Sequence, residues 1–150
     1  MSAEKLSPWV EALGLQPHIE GGWYKEIWKA SKLIPSEVLG PAYSSARASA
    51  SSVYFLLHPG ETSAWHRVLS DELWLYHAGG PLKLTLGGDG DRPMEGGQTF
   101  VLGMDTSSGQ APQALVPASV WQTATPAGDE PVLVTCIVAP AFHFDDFEMI

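Results

Sequence analysis

Cysteine is almost absent: Cys136 is the only one in 150 residues. No disulfide can form within the chain, and "VLVTCIVAP" around it reads as a buried strand, so the cytoplasm is the simplest compartment. Basic charge is scarce as well. Eight Lys and Arg stand against 17 Asp and Glu, a formal net charge of −9. Such a surface repels phosphate backbones and anionic membranes, so neither nucleic acid nor a membrane is an expected partner. No uninterrupted apolar run approaches the roughly 20 residues that cross a bilayer as a helix. The opening "MSAEKLSPWVEALG" lacks a basic segment followed by an apolar core, and no signal peptide is expected from it. Long helical patterns are missing too, which argues against a doubly wound α/β architecture.

What is present is turn chemistry between short apolar runs. Fifteen Gly and 12 Pro suit many strands joined by tight connections. Ser7-Pro8 predicts an N-cap followed by proline at the first helical position, and Gly14 a helix stop, with Trp9 and Leu13 facing the core. In "GGWYKEIWK" strict alternation puts Tyr24, Glu26 and Trp28 on one face. The Ser-, Pro- and Ala-rich segment 32–46 reads as a loop. From Ser52 onward come "SVYFLL", "AWHRV", "ELWLYHA", "PLKLTL", "QTFVL", "QALVPA", "SVWQTA" and "VLVTCIVA". Leu82, Leu84 and Leu86 share one face. Eight to ten strands with a single short helix predict one all-β domain over residues 1–150, an antiparallel sandwich or barrel.

One stretch carries candidate chemistry. His66 ends "AWHRV" and Glu72 begins "ELWLYHA", with Leu69-Ser70-Asp71 between them, short enough for a hairpin. The two side chains then face one cavity. Trp74 and Tyr76 lie on the Glu72 face, and Leu73, Leu75 and His77 on the other. A carboxylate, an imidazole, an indole and a phenol in one pocket form a plausible acid–base set. The plainer reading is a satisfied polar pair in a barrel mouth. Glu26, between Tyr24 and Trp28, either faces the pocket or has a partner, because an unpaired buried carboxylate is costly.

These residues also carry a resemblance. Gly60, His66, Val68, Glu72 and Gly79 fit the first cupin motif, Gly-x5-His-x-His-x3,4-Glu-x6-Gly, except that Val68 stands where the second His belongs. The second motif, Gly-x5-Pro-x-Gly-x2-His-x3-Asn, keeps Pro117, while Ala111, Ser119, Gln122 and Pro126 replace its other fixed residues. "LGLQPHIEGGWYKE", "SSVYFLL", "WHRVLSDELWLYHAGGPL", "LVPASVWQ" and "CIVAPAFHFDDFEM" resemble the fifth cupin family, formerly a domain of unknown function. Departures are Ile19 where that family has Pro and Ala141 where it usually has Gly. The resemblance implies a cupin jelly-roll (double-stranded β-helix) antiparallel barrel with a short N-terminal helix, usually a homodimer, with a ligand cavity in one mouth.

Metal cupins offer three imidazoles and a carboxylate; here the matching positions are His66, Val68, Glu72 and Gln122. Valine cannot coordinate, and an amide oxygen suits imidazole-type metals poorly. A tentative metal set of His66, Glu72 and Gln122 needs another ligand, with Glu26 or His18 as candidates, and the expectation is no tightly bound cofactor. Without a metal, the resemblance to sugar-epimerase-like cupins gives His66, Glu72 and Tyr76 catalytic roles, with Glu72 orienting His66 and raising its pKa. Trp74, Gln122, Glu26, Tyr24 and Trp28 are the candidate ligand-binding residues. The expected activity is isomerisation or epimerisation of a small oxygenated molecule. A sugar fits that description, as does a sugar nucleotide held through Arg47 or Arg67. The alternatives are a noncatalytic ligand-binding cupin and a metal-dependent oxygenase or lyase. His18 and Glu20 are expected to anchor the N-terminal segment, with a place in the cavity as the alternative.

Overall fold

Ser7 caps helix α1 (Pro8–Ala12) by accepting the Trp9 amide at 3.2 Å, as the Ser-Pro pair predicts. The computed structural model describes residues 5–150. Residues 1–4, part of the opening read for a leader, lie outside the described residues. His58 fastens the helix to the barrel. Its Nε2 accepts the Ser7 amide at 2.8 Å, and its Nδ1 bonds Glu61 at 2.8 Å. Trp9, Val10 and Leu13 then pack on Leu15, Leu56 and Leu133, a small outer cluster.

The strands are β1 (Gln16–Pro17), β2 (Trp23–Lys29), β3 (Leu33–Ile34), β4 (Arg47–Ala48), β5 (Ser51–Leu57), β6 (Ser63–Val68), β7 (Asp71–Gly79), β8 (Leu82–Leu86), β9 (Thr99–Leu102), β10 (Gln113–Val116), β11 (Gln122–Pro126), β12 (Val132–Ala139) and β13 (Phe147–Met149). The segment expected to be a plain loop holds β3 and a second short helix, α2 (Ser36–Leu39). The strands form a six-stranded sheet, β1-β2-β5-β12-β7-β10, and a five-stranded sheet, β13-β6-β11-β8-β9, with β3 and β4 paired apart. Their ladders are antiparallel. This is the expected all-β jelly-roll barrel.

Alternation sets the core. Along β8, Leu82, Leu84 and Leu86 are buried while Lys83 is exposed. Across the interior they meet Val132, Val134 and Phe55 of the other sheet. Complete burial of a Leu or Phe side chain contributes on the order of 1.5–3 kcal/mol, so these facing rows hold the two sheets together.

The hairpin expected between β6 and β7 does not form. The two strands belong to different sheets: β6 pairs with β13 and β11, and β7 with β12 and β10. Both edges of each strand are thereby taken. Leu69 and Ser70 carry the chain across the barrel instead. Tyr43 holds that corner, its hydroxyl 3.2 Å from the Leu69 carbonyl and 3.0 Å from the Ser70 hydroxyl.

The C-terminus is fixed by a buried ion pair. Arg47 donates to both carboxylate oxygens of Asp146, at 3.0 and 2.7 Å, and both side chains are almost wholly covered. This bidentate pair holds the 3-10 turn (Phe144–Asp146) from which β13 runs back along β6. Asp146→Asn leaves the guanidinium without its counter-charge and is expected to cost about 3–5 kcal/mol. Urea denaturation reads this directly; a loss below ~1 kcal/mol would show that the pair does not hold the terminus.

Candidate functional site

Because β6 and β7 sit in opposite sheets, His66 and Glu72 approach a common space from opposite walls. That space is a cavity of about 380 Å³, and both residues line it. Trp74, Cys136, Phe55 and Val68 form its inner surface, and Phe142, Phe144 and Phe147 border it from the C-terminal segment.

His66 is 2% exposed. Its Nδ1 lies 2.7 Å from the Ala64 carbonyl, and a carbonyl only accepts. Nδ1 therefore carries the proton, and in the neutral ring Nε2 keeps the lone pair. No protein group hydrogen-bonds Nε2 among the described residues, although no fully buried side-chain nitrogen or oxygen lacks a partner. The free nitrogen is thus the ring atom left for a guest. Burial lowers the His66 pKa and outweighs the raising effect of Glu72 and the Ala64 hydrogen bond. The sequence expectation of a raised value is corrected: desolvation of the imidazolium dominates over its attraction to the carboxylate.

Glu72 is also buried, and burial raises its pKa against the pull of the His66 charge and of hydrogen bonds from Gln122 and Cys136. Gln122 Nε2 donates to Glu72 Oε1 at 2.8 Å, while Gln122 Oε1 accepts the Trp74 indole N–H at 2.9 Å. The chain Trp74–Gln122–Glu72 fixes the carboxyl, since each amide end has one partner. Gln122 does not border the cavity itself; it holds two residues that do.

The turn after β1 brings in groups expected to serve as anchors. The His18 amide donates to the Gly22 carbonyl at 2.9 Å, and the Gly21 amide to the His18 carbonyl at 3.0 Å. Gly21 and Gly22 have φ of +105° and +75°, a region that favours glycine, and this folds the turn against the cavity. His18 and Glu20 both line it. Glu20 Oε2 is 3.1 Å from His66 Nδ1 and accepts the Ser63 hydroxyl. Burial raises the Glu20 pKa and lowers that of His18. The adjacent glycines in "HIEGG" were the available signal, since they bend the chain where its polar residues lie.

Besides Gln122, two candidates from the sequence, Tyr76 and Trp28, do not line the cavity. Tyr76 faces inward but does not line the cavity; its hydroxyl donates to the Gly79 carbonyl. Four residues beyond Glu72, it lies about 13 Å along the strand, with Trp74 between. Trp28 is turned out and 50% exposed. The register explains it: Glu26 pairs with Val53, but Trp28 pairs with Ser52, so Ile27 is an extra bulged residue. The bulge ends the alternation and moves Trp28 to the opposite face. Glu26 and Tyr24 do border the cavity, Glu26 exposed at the mouth with Lys29 3.9 Å away. The cations considered for a pyrophosphate are committed elsewhere. Arg47 is bound to Asp146, and Arg67 stacks over Trp121 and bonds Glu148 outside.

The donor set does not fit a transition metal. Val68 lines the wall where a second imidazole would stand. Gln122 has both amide ends bonded to Trp74 and Glu72, so it does not supply the missing ligand. Among the described residues, no group of three or more His, Cys, Asp or Glu is arranged to hold an ion. At the motif positions only His66 and Glu72 remain as donors, one short of the usual three protein ligands of a catalytic zinc; His18 and Glu26, the candidate substitutes, border the cavity but are not grouped with them as a third ligand.

Comparison with known proteins identifies the family. A family model described as Cupin superfamily (DUF985) matches residues 7–150. No curated protein matches the chain. A solved Leishmania major protein is 31% identical over 95% of this chain and 85% of that one, with a TM-score of 0.82. A Shewanella oneidensis protein is 35% identical over 95% of this chain and 82% of that one, with a TM-score of 0.79. Oxalate decarboxylase from Lactobacillus farciminis shares the fold: 18% identity, TM-score 0.56, covering 93% of this chain and 34% of that one. The cavity between two antiparallel sheets, the His and Glu of the first motif and the end-to-end match agree: this chain belongs to the cupin superfamily, in the family described as DUF985.

Proposed function

We propose that this small-molecule-binding cupin is an isomerase or epimerase that transfers a proton at carbon beside a carbonyl, using no tightly bound metal. The observation that carries the reading is the placement of His66 and Glu72 on opposite walls of one cavity, each shifted toward its uncharged form by burial. A neutral imidazole is a base, and a protonated carboxyl is an acid. His66 Nε2 takes the C–H proton while the electron pair moves into the adjoining carbonyl. Glu72 returns a proton to the other face as the pair comes back to carbon. The carbon centre is inverted, His66 leaves as imidazolium and Glu72 as carboxylate, and a proton exchange with water resets both. Tyr76, bonded at the far end of the strand, has no part in this.

The cavity's size and mixed lining suit a small oxygenated molecule of sugar-like dimensions. Among the described residues the one lysine at its border, Lys25, has its ammonium beside Gly14, and no arginine lines it, which counts against a sugar nucleotide, whose pyrophosphate needs a cation.

Two measurements check this reading. In D2O, with a panel of small hydroxy-ketones and sugars followed by proton NMR, the protein is expected to place deuterium at carbon beside the carbonyl. His66→Gln should slow that exchange by about 10²–10⁴-fold, the usual range for a general base. Exchange that proceeds unchanged in both His66→Gln and Glu72→Gln would remove the proton-transfer assignment.

The protonation of Glu72 is read separately through stability. Its pKa is raised above 4.5 on folding, so above that pH the folded chain holds more protons than the unfolded one. Stability from this group therefore falls as pH rises from about 4.5 to the folded value. Glu72→Gln lacks that slope. The Tm of the variant minus that of the parent should climb through this window and level off above it; a flat or falling difference contradicts the raised pKa.

A further inference from the structure

Among the described residues, acids outnumber lysines and arginines around the cavity. Three carboxyl side chains border it, Glu20, Glu26 and Glu72. Of the lysines and arginines, only Lys25 borders it as well. Lys25 stands opposite Tyr54 in the β2–β5 ladder, and its Nζ lies beside Gly14, on the outer side of the sheet. Lys29 meets Glu26 outside the mouth at 3.9 Å, with both side chains about half exposed, and so little of that pair's attraction survives solvent screening. An anionic guest would enter past Glu26 at the mouth and meet two more acids inside, Glu20 and Glu72, with the Lys25 ammonium turned away from it.

The rest of the lining is suited to a cation. Tyr24, Phe55, Trp74, Phe142, Phe144 and Phe147 surround the space. Phe142 and Phe144 meet edge to face at 5.0 Å, and Phe147 lies 5.9 Å from each. Rings of this kind attract an ammonium through their negative faces, by on the order of 0.5–2 kcal/mol each. A second and independent sign of a guest is His66. It is 2% exposed, and among the described residues no protein group bonds its Nε2, which is left to accept from a donor.

We propose that the guest of this cavity is a small protonated amine, such as an amino sugar or another amino-carbonyl compound, held by Glu20, Glu26 and the phenylalanine rings. The ammonium replaces water at the carboxyl groups, and its N–H or neighbouring hydroxyl reaches His66 Nε2. The proposal rests on the proton-transfer reading only in taking the same cavity as the ligand site. In that reaction the amine lies near the carbonyl that receives the electron pair, so its charge also offsets the negative charge that develops there.

The test is binding by calorimetry at low ionic strength and about pH 6.5, below the roughly 7.7–8.0 of ordinary α-amines. Two scaffolds separate charge from shape. Glucosamine is compared with glucose and glucuronate, and choline with its neutral carbon isostere 3,3-dimethyl-1-butanol. The cationic member of at least one scaffold is expected to bind at least tenfold more tightly than its neutral partner, with glucuronate weakest. Glu20→Gln should reduce that preference, and Glu26→Gln, exposed at the mouth, should reduce it without endangering the fold. Binding that favours the neutral or anionic member, or no binding of either cation, overturns the proposal. No turnover is measured, so loss of charge preference leaves the proton-transfer reading standing. Charge preference that survives in a protein showing no deuterium exchange removes that reading and keeps this one.

Discussion

Two sheets that share no strand can be held together only by the side chains between them and by the segments that cross. In this barrel the crossing at Leu69 and Ser70 sets where His66 and Glu72 stand. Were β6 and β7 hairpin neighbours, His66 and Glu72 would stand side by side on one sheet, and each would address the same face of a guest. The crossing sets them against each other. Tyr43, from a segment that reads as loop, is bonded to both corner residues, so the placement of His66 and Glu72 depends in part on a side chain from well upstream in the sequence.

Burial then determines what those groups are. In water, a His and a Glu near one another at neutral pH form an ion pair. Inside this cavity desolvation outweighs their mutual attraction for both partners, which brings their proton affinities toward one another. The closer two proton affinities lie, the less it costs to move a proton from one group to the other. Hydrogen bonds supply the aim: the Ala64 carbonyl fixes which imidazole nitrogen is bare, and Gln122, bound to Trp74, fixes the carboxyl.

Much of this was legible from residue order. Period-two alternation located the major strands, and the spacing of Gly60, His66, Glu72 and Gly79 marked the pair. The inward row Leu82, Leu84 and Leu86 is buried as alternation requires. What alternation could not reveal was which sheet a strand joins, because three residues can close a hairpin or cross a barrel. It also could not fix where along an inward face the cavity stops, and Tyr76 shares a side with Glu72 but lies beyond Trp74. His18 and Glu20 were hidden for another reason. Their place follows from a turn outside any strand, and short polar residues in turns more often serve the local backbone.

The extra residue at Ile27 divides β2 into two surfaces. Before it, Tyr24 and Glu26 border the cavity; after it, Trp28 stands in solvent. Were Ile27 instead drawn into regular pairing opposite Ser52, Trp28 would stand two places after Glu26 on the same face, and its indole would narrow the entrance while His66 and Glu72 stayed in place. In such an architecture one unpaired residue on a strand keeps a large ring out of the mouth, at a distance from the polar groups inside.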